Sequence, residues 1–213
     1  MIKIIVKKLL KILILNKLVK SFNKKYFLCY NKIMKNYFII HGTFGYAKEN
    51  WFPWLENELT AKGEIVFNFD YPTPENQDFL NWSAVLNKVK DKISENSIFI
   101  CHSIGCVFLA KYCIENNIKI GKCIFVSGCN NYFAIEKFDK INKFMFTDRL
   151  DEFSKLCKTR ICIYSKDDPY IPVSYLESFA KTIKAKSYVY ENAGHFNSNS
   201  GYTTFPDILK LLS

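Results

Sequence analysis

Short apolar runs recur along the chain from residue 37 onward, and segments with helical spacing of apolar residues separate most of them. The apolar runs predict six β-strands, at residues 37–40, 65–69, 97–101, 123–126, 160–164 and 187–190. The helical spacing predicts five helices, near residues 54–59, 79–93, 107–114, 175–183 and 205–212. Near-continuous apolar strands that alternate with helices are typical of a mostly parallel sheet with helices on both faces.

One long interruption of this alternation lies between the fourth and fifth strands, at residues 130–158. Its pattern predicts one or two short helices, which is too little for a second domain. We expect this segment to form a minimal cap over the sheet. Ligands of parallel sheets bind at the carboxyl ends of the strands, so the chemistry should be sought in the loops that follow them.

Charge divides the chain into two parts. The 213 residues carry a formal net charge of +10, and residues 1–35 hold ten lysines and no acidic residue. Residues 36–213 hold equal numbers of basic and acidic residues, which excludes a basic nucleic-acid groove on the body of the protein. We therefore expect a basic N-terminal extension, 1–35, followed by a single domain, 36–213, which is long enough for a sizeable core.

Two interpretations of the extension stay open. Four lysines between residues 3 and 11 fall on one helical face, which suits a helix lying on an anionic membrane surface. Alternatively, residues 1–33 are dispensable upstream sequence, and the working protein starts at Met34. The longest apolar run, residues 12–15, is too short for a membrane span or a secretory signal, so we expect a cytoplasmic protein.

The eight cysteines show neither C-x-x-C spacing nor a Cys/His ligand pattern. Several lie inside apolar runs, which predicts free, buried thiols in a reducing cytosol rather than disulfides or a zinc site. We expect no metal and no other cofactor.

The segment SIFICHSIGCVFLAKYC places Ser103 between an apolar strand and an apolar helix. It departs from the G-x-S-x-G nucleophile motif at one position, because Cys101 replaces the first glycine while Gly105 keeps the second. That motif needs a tight strand-to-helix turn that lifts the serine hydroxyl above the sheet, and Cys is small enough for the first position. The helix N-terminus just beyond favours developing negative charge. The pattern predicts that Ser103 is a nucleophile.

A serine nucleophile needs a base, and the base needs an acid that orients it. His195 follows the sixth strand in NAGHFN, where a base belongs, whereas His102 adjoins the nucleophile and His41 opens the loop after the first strand. The acid lies after the fifth strand in SKDDPYIP, where adjacent side chains point in opposite directions. We favour Asp168 and keep Asp167 as the alternative. The resulting chain order, serine then aspartate then histidine, is that of α/β-hydrolases.

An oxyanion hole needs two preorganised hydrogen-bond donors. The backbone N–H of Ile104 is one, and we expect the other from the loop after the first strand, at Thr43 with Phe44 as the alternative. Gly42 would let that loop approach closely. Aromatic residues that follow strand ends or precede helices are expected to line the substrate pocket: Phe44, Trp51, Tyr71, Tyr132, Phe133 and Tyr170.

The motifs HG-x-x-G, NWFPWL, CHSIGC, DDPYIP and GHF together resemble the small serine hydrolases related to retinoblastoma-binding protein 9, over residues 37–212. This resemblance implies a compact α/β-hydrolase fold without a cofactor. By position, it implies a catalytic triad of Ser103, Asp168 and His195. The sequence departs from the family pattern at Cys101, where relatives commonly carry Gly or Ala.

These observations predict a serine hydrolase that cleaves a small carboxylic ester, or a thioester or amide, through an acyl-enzyme on Ser103. Two other functions stay open. One is a hydrolase-fold protein that keeps the triad but serves to bind a partner. The other is a lipid esterase held at a membrane surface by residues 1–33.

Overall fold

The computed structural model describes residues 35–132 and 135–212, and Lys35–Ser213 form one compact unit. The predictions for the N-terminal extension, including the membrane-surface helix and the choice between Met1 and Met34 as start, concern residues outside the described ranges. Within those ranges, every helix is too short or too polar to cross a bilayer.

Six parallel strands form one sheet in the order β2-β1-β3-β4-β5-β6. The strands are β1 (Asn36–Ile40), β2 (Ile65–Asn68), β3 (Ile98–His102), β4 (Ile120–Val126), β5 (Cys157–Ser165) and β6 (Lys186–Tyr190). All six predicted strands are confirmed. β4 and β5 begin about three residues earlier than predicted, because their mixed polar starts pair with each other, Ile120 opposite Cys157.

In the part of the chain that the structure describes, six α-helices connect or flank the strands: α1 (Phe52–Ala61), α2 (Phe79–Asn87), α3 (Ile104–Asn116), α4 (Glu136–Asn142), α5 (Val173–Thr182) and α6 (Pro206–Leu212). Helix α2 is shorter than predicted and is followed by a 3-10 turn at Lys90–Lys92. The long segment between β4 and β5 contains α4 and a 3-10 helix at Leu150–Lys155, as expected for a small cap.

The hydrophobic core consists of two layers, one on each face of the sheet. Alternate residues along each strand face opposite sides, so Phe38 and Ile40 of β1 belong to one layer while Tyr37 and Ile39 belong to the other. Helices α2, α3 and α5 cover the first layer, and α1 and α6 cover the second. This arrangement confirms the predicted sheet with helices on both faces.

The strand order determines where a site can form. From β1 the chain moves to β2 on one side, and it then returns to β3 on the other side. The loops after β1 and β3 therefore leave the sheet side by side, at a topological switch point of the kind where parallel sheets bind ligands. The loops after β5 and β6 rise from the same edge of the sheet.

The seven cysteines in the described part of the chain are all free and buried, as predicted, and Cys29 lies outside it.

Candidate active site

Ser103 lies in a strained backbone conformation between β3 and α3, with φ 54° and ψ −125°. A non-glycine residue in such a region costs about 1–3 kcal/mol and persists only where its surroundings fix it. Here the Ser103 N–H donates to the carbonyl of Val126 on the neighbouring strand, at 2.9 Å. The turn therefore has the geometry that a nucleophile elbow requires.

Two glycines allow the loop after β1 to press against this elbow. A Cβ added to Gly42 would lie 2.7 Å from Ser103 Cβ, and one added to Gly105 would lie 2.5 Å from the carbonyl oxygen of His41. Real Cβ atoms essentially never come so close to another atom. Cys101, which replaces the first glycine of the motif, is buried within its strand. Its side chain is accommodated in the core, so the departure from the motif does not disturb the turn.

His195 and Asp168 meet across the loops after β5 and β6. His195 Nδ1 lies 2.7 Å from Asp168 Oδ2, and the side chains are 9% and 0% exposed. The other Asp168 oxygen, Oδ1, accepts the backbone N–H groups of Tyr170 and Ile171 at 2.9 and 3.0 Å. Both carboxylate oxygens are thus occupied, which fixes the carboxylate and leaves Nε2 of the imidazole facing away from it.

The imidazole of His195 is also held by its ring neighbours. Tyr170 packs edge-on against it with ring centroids 5.0 Å apart, and His102 lies at 4.8 Å. The backbone carbonyl of His195 is 2.8 Å from His102 Nε2. Ser103 and His195 line the same cavity.

Asp167, the alternative acid, does not contact His195 through its side chain. Its Oδ1 accepts the hydroxyl of Ser165 and the backbone N–H groups of Ala193 and Gly194, at 2.5, 3.0 and 2.9 Å. These hydrogen bonds hold the pKa of Asp167 below its ordinary value, the Ser165 bond most strongly. Asp168 therefore holds the imidazole of His195, while Asp167 anchors the loop that carries this histidine.

The NWFPWL segment also anchors the loop that carries His195. Trp51 Nε1 donates to the carbonyl of Phe196 at 2.9 Å, and Asn50 Oδ1 accepts the N–H of Ser198 at 2.8 Å. These two bonds lie on the C-terminal side of His195, so the motif helps to position this histidine, although Trp51 does not line the cavity.

His41 orients the loop that is expected to supply the oxyanion hole. The backbone N–H of Tyr71 donates to His41 Nε2 at 2.9 Å, so the ring proton is on Nδ1, which donates to the carbonyl of Gly42 at 2.8 Å. Gly45 N–H donates to the same carbonyl at 3.1 Å. In a planar trans peptide the C=O and N–H point in opposite directions. The Thr43 N–H of that peptide therefore points away from His41.

The second expected donor, the N–H of Ile104, belongs to the first residue of α3 and has no partner within the helix. Thr43 and Ser103 both line the cavity. The two amides can thus serve one site at the positive end of a 13-residue helix.

The two histidines beside the site stay uncharged. Burial lowers the pKa of His102 to about 3, with the nearby His195 adding to the effect. Burial also lowers the pKa of His41, against its bond to the Gly42 carbonyl and the attraction of Asp70. Glu49, at the cavity wall, behaves in the opposite way. Burial raises the pKa of its carboxyl group, although hydrogen bonds from the Tyr46 backbone and the Asn50 side chain favour its charged form.

The cavity has a volume of about 240 Å³, and its lining contains both aromatic and polar side chains. One wall is aromatic and is formed by Phe44, Phe138 and Tyr170, with successive ring centroids 5.9 and 6.1 Å apart. Other lining residues are polar and include Glu49, Asn50, Asn142, Asn197, Ser198 and Asn199. The site can therefore receive a small molecule with one apolar part and one polar part.

The prediction of pocket residues is wrong for three of the aromatic side chains. Trp51 and Tyr71 are buried in the core on opposite faces of the sheet, where their rings pack on Phe52 and Trp82, respectively. Tyr132 is 55% exposed and packs on Phe146, away from the cavity. Phe133 lies outside the described residues. Phe44 and Tyr170 do line the cavity.

Sequence reasoning missed Phe138, Asn142 and Glu49 among the lining residues. The first two lie on the cap helix α4, whose position over the strand ends no periodicity reveals. Glu49 precedes the NWFPWL motif, and that proximity was a signal that could have been used. Among the described residues, no group of three His, Cys, Asp or Glu side chains could hold a metal ion.

The serine hydrolase family matches residues 37–213 of this sequence. The chain belongs to that family. This hydrolase is 28% identical to the Bacillus subtilis protein YdeN, which is named as a hydrolase, over 182 residues that cover 84% of this chain and 95% of YdeN. The match confirms the predicted serine hydrolase family, while the narrower link to retinoblastoma-binding protein 9 stays a prediction.

Solved structures confirm the α/β-hydrolase fold of the hydrolase. The YdeN crystal structure superposes with a TM-score of 0.77 at 27% identity, over 84% of this chain and 97% of YdeN. A YdeN-like hydrolase from Pectobacterium atrosepticum gives 0.62 at 15% identity, over 84% and 89%. An esterase from Pyrococcus furiosus gives 0.60 at 17% identity, over 85% and 80%.

Proposed function

We propose that the hydrolase is a serine esterase that cleaves small carboxylic esters through an acyl-enzyme on Ser103. The observation that carries this proposal is the contact of 2.7 Å between Asp168 and His195, beside the strained turn at Ser103. All three residues lie in turns or loops that follow strands at the same edge of the sheet. The esterase named among the structural neighbours supports the fold of such an enzyme.

In the first half of the reaction, Ser103 Oγ attacks the ester carbonyl carbon while His195 Nε2 takes the hydroxyl proton. Asp168 accepts the Nδ1–H bond and stabilises the imidazolium that forms. The tetrahedral intermediate collapses as the C–O bond to the alcohol breaks, and His195 returns the proton to the departing alkoxide. The acyl group is then an ester of Ser103.

In the second half, a water molecule takes the place of the alcohol. His195 Nε2 removes its proton as the oxygen attacks the acyl carbon, and the bond to Ser103 Oγ then breaks with return of that proton to the serine. The amides of Thr43 and Ile104 stabilise the oxyanion in both halves, and one such donor is worth about 10²–10³ in rate. Within the described residues the imidazole ring hydrogen-bonds to Asp168 alone, so Nε2 is available for these transfers.

The cavity supports a small substrate. Its 240 Å³ fall below the range of about 300–1,000 Å³ that holds drug-sized ligands. Phe44, Phe138 and Tyr170 suit a short acyl chain or a small ring, whereas the polar lining suits an alcohol with further polar groups. Thioesters and small amides are the next candidates, since they pass through the same tetrahedral intermediate.

The test is labelling with a fluorophosphonate, followed by a panel of p-nitrophenyl and thioester substrates of increasing acyl length. We expect the full chain to be labelled at Ser103 and Ser103→Ala to be unlabelled, with hydrolysis falling as the acyl chain outgrows the cavity. A folded wild-type protein that neither reacts with the probe nor hydrolyses any substrate would overturn the proposal and favour a binding role instead.

A further inference from the structure

A buried polar cluster lies directly behind the loop that carries Thr43. Gln77 is its centre, and its side-chain NH2 donates to Thr43 Oγ1 at 3.0 Å and to Asn142 Oδ1 at 2.6 Å. The Thr43 hydroxyl itself donates to Asn142 Oδ1 at 2.6 Å. Gln77 and Asn142 are 5% and 3% exposed, so little water competes for these bonds.

The cluster also holds the next residue of the same loop. The hydroxyl of Thr73 donates to Gln77 Oε1, and its oxygen accepts the backbone N–H of Phe44 at 2.8 Å. Two consecutive residues, Thr43 through its side chain and Phe44 through its backbone, are thus tied to Gln77.

The donors and acceptors of the cluster form one consistent set. Both hydrogens of the Gln77 amide go to acceptors, and its oxygen receives a hydroxyl. Rotating the Gln77 amide alone by 180° would bring Gln77 Oε1 against Asn142 Oδ1, so the orientations of the two carboxamides depend on each other. An unpaired buried polar group typically costs about 1–3 kcal/mol, which makes the arrangement stiff.

On the other side of the loop, His41 Nδ1 and the Gly45 N–H hold the Gly42 carbonyl. The peptide that carries the Thr43 N–H is therefore fixed at both ends, by His41 before it and by Gln77 after it. Asn142 belongs to the cap helix α4, which also contributes Phe138 to the cavity. Gln77 thus links the cap helix α4 to the loop that carries Thr43.

We propose that Gln77 is a positioning residue for the oxyanion hole: its side-chain amide holds Thr43, together with the cap residue Asn142, so that the Thr43 N–H points at the developing oxyanion. Gln77 acts through Thr43 and does not contact the substrate itself. The inference rests on the proposed esterase function. It predicts a defect in transition-state binding with little change in substrate binding.

Two variants remove the donors in different ways. Gln77→Met keeps an unbranched side chain of similar length without polar groups, and Gln77→Glu keeps the shape but presents oxygen atoms to Thr43 and Asn142. The matched control is Asn130→Leu, which removes another carboxamide that bridges two segments, through bonds to Thr147 N and O at 3.0 and 2.6 Å. Asn130 does not line the cavity.

Three quantities are measured on the full chain: kcat and KM for p-nitrophenyl acetate, and the inhibition constant of a boronic acid, whose tetrahedral adduct with Ser103 mimics the oxyanion. We expect both Gln77 variants to lose about 10- to 100-fold in kcat and a similar factor in boronate affinity, with KM changed less than about threefold. Asn130→Leu should lower the melting temperature and leave all three constants near wild type.

The proposal is overturned if folded Gln77→Met and Gln77→Glu proteins retain wild-type kcat and boronate affinity. It is also overturned if their losses match those of Asn130→Leu, because the cluster would then serve stability alone. Failure of the esterase function itself looks different: wild-type protein would show neither hydrolysis nor fluorophosphonate labelling, whatever residue occupies position 77.

Discussion

Replacing Gly42 with alanine tests the close approach between the loop that carries Thr43 and the strained turn at Ser103. The new methyl group would lie 2.7 Å from Ser103 Cβ and 3.3 Å from its Oγ, whereas ordinary contacts begin at 3.4 Å. One partner must therefore move by about 0.7 Å, the difference between the two distances. Ser103 cannot yield easily, because its N–H is bonded to Val126 and its dihedral angles are already strained.

The movement therefore falls on the loop that carries Thr43. Overpacking of this kind costs about 1–3 kcal/mol of stability. A misplacement approaching 1 Å in a catalytic site costs about 10²-fold in rate. We expect Gly42→Ala to remain folded and to lose about 100-fold in kcat/KM.

Gly121→Ala is the matched control. Its methyl group would also lie 2.7 Å from its nearest neighbour, the carbonyl oxygen of Glu95, but at the start of β4, at the opposite end of the sheet. Urea unfolding measures stability, and p-nitrophenyl acetate hydrolysis measures kcat/KM. The two variants should lose similar stability, and only Gly42→Ala should lose activity. Equal activity losses, or a folded Gly42→Ala with near-normal kcat/KM, would refute the reasoning.

Three further changes test other parts of the site. Asp168→Asn should lower kcat by roughly 10⁴-fold, since an amide cannot hold the His195 ring in the required tautomer, whereas Asp167→Asn keeps an oxygen for the loop amides and should cost less than about tenfold; steady-state kinetics compare the two. Because burial lowers the pKa of His102 to about 3, the unfolded chain binds a proton there below about pH 6.5 and the folded chain does not, so His102 should contribute a fall in stability of about 2 kcal/mol from pH 7 to pH 5, and the lowered pKa of His41 adds a contribution of the same sign. His102→Gln should flatten that dependence in urea unfolding, and an unchanged slope would contradict the assignment. The carboxyl group of Glu49 lines the cavity; we therefore expect acetylcholine to be hydrolysed faster than its uncharged isostere 3,3-dimethylbutyl acetate, a preference of about tenfold that Glu49→Gln should abolish.

The parts of the fold that follow from local sequence were predictable. Strands β1 and β3 are apolar on both faces because helices cover both faces of the sheet. This produces continuous apolar runs such as YFII at residues 37–40 and IFIC at residues 98–101. The Ser103 turn was predictable for the same reason, since it depends on an apolar strand, a small residue and an apolar helix in direct succession.

The cavity walls could not be predicted in the same way. Trp51 and Tyr71 are aromatic residues of the kind that line pockets, yet both rings are buried in the core. The indole N–H of Trp51 donates to the carbonyl of Phe196, and the backbone N–H of Tyr71 donates to His41 Nε2. Phe138 and Asn142 line the cavity because α4 lies over the strand ends, and the contacts that place it there join residues far apart in sequence. An amphipathic residue can satisfy a buried polar group or face a ligand, and sequence does not distinguish the two.

The adjacent aspartates Asp167 and Asp168 show which part of a residue's role local sequence can predict. Alternation along an extended chain states that only one of Asp167 and Asp168 can face His195, and the structure agrees. The alternation does not predict a role for Asp167, because this carboxylate accepts hydrogen bonds from the N–H groups of Ala193 and Gly194, which lie on the loop after the neighbouring strand β6. Because β5 and β6 pair in parallel, their loops leave the sheet together, and one dipeptide can hold both the side chain of His195 and the backbone just before it. The position of His195 therefore depends on two carboxylates: Asp168 holds its imidazole ring, and Asp167 holds the backbone that precedes it.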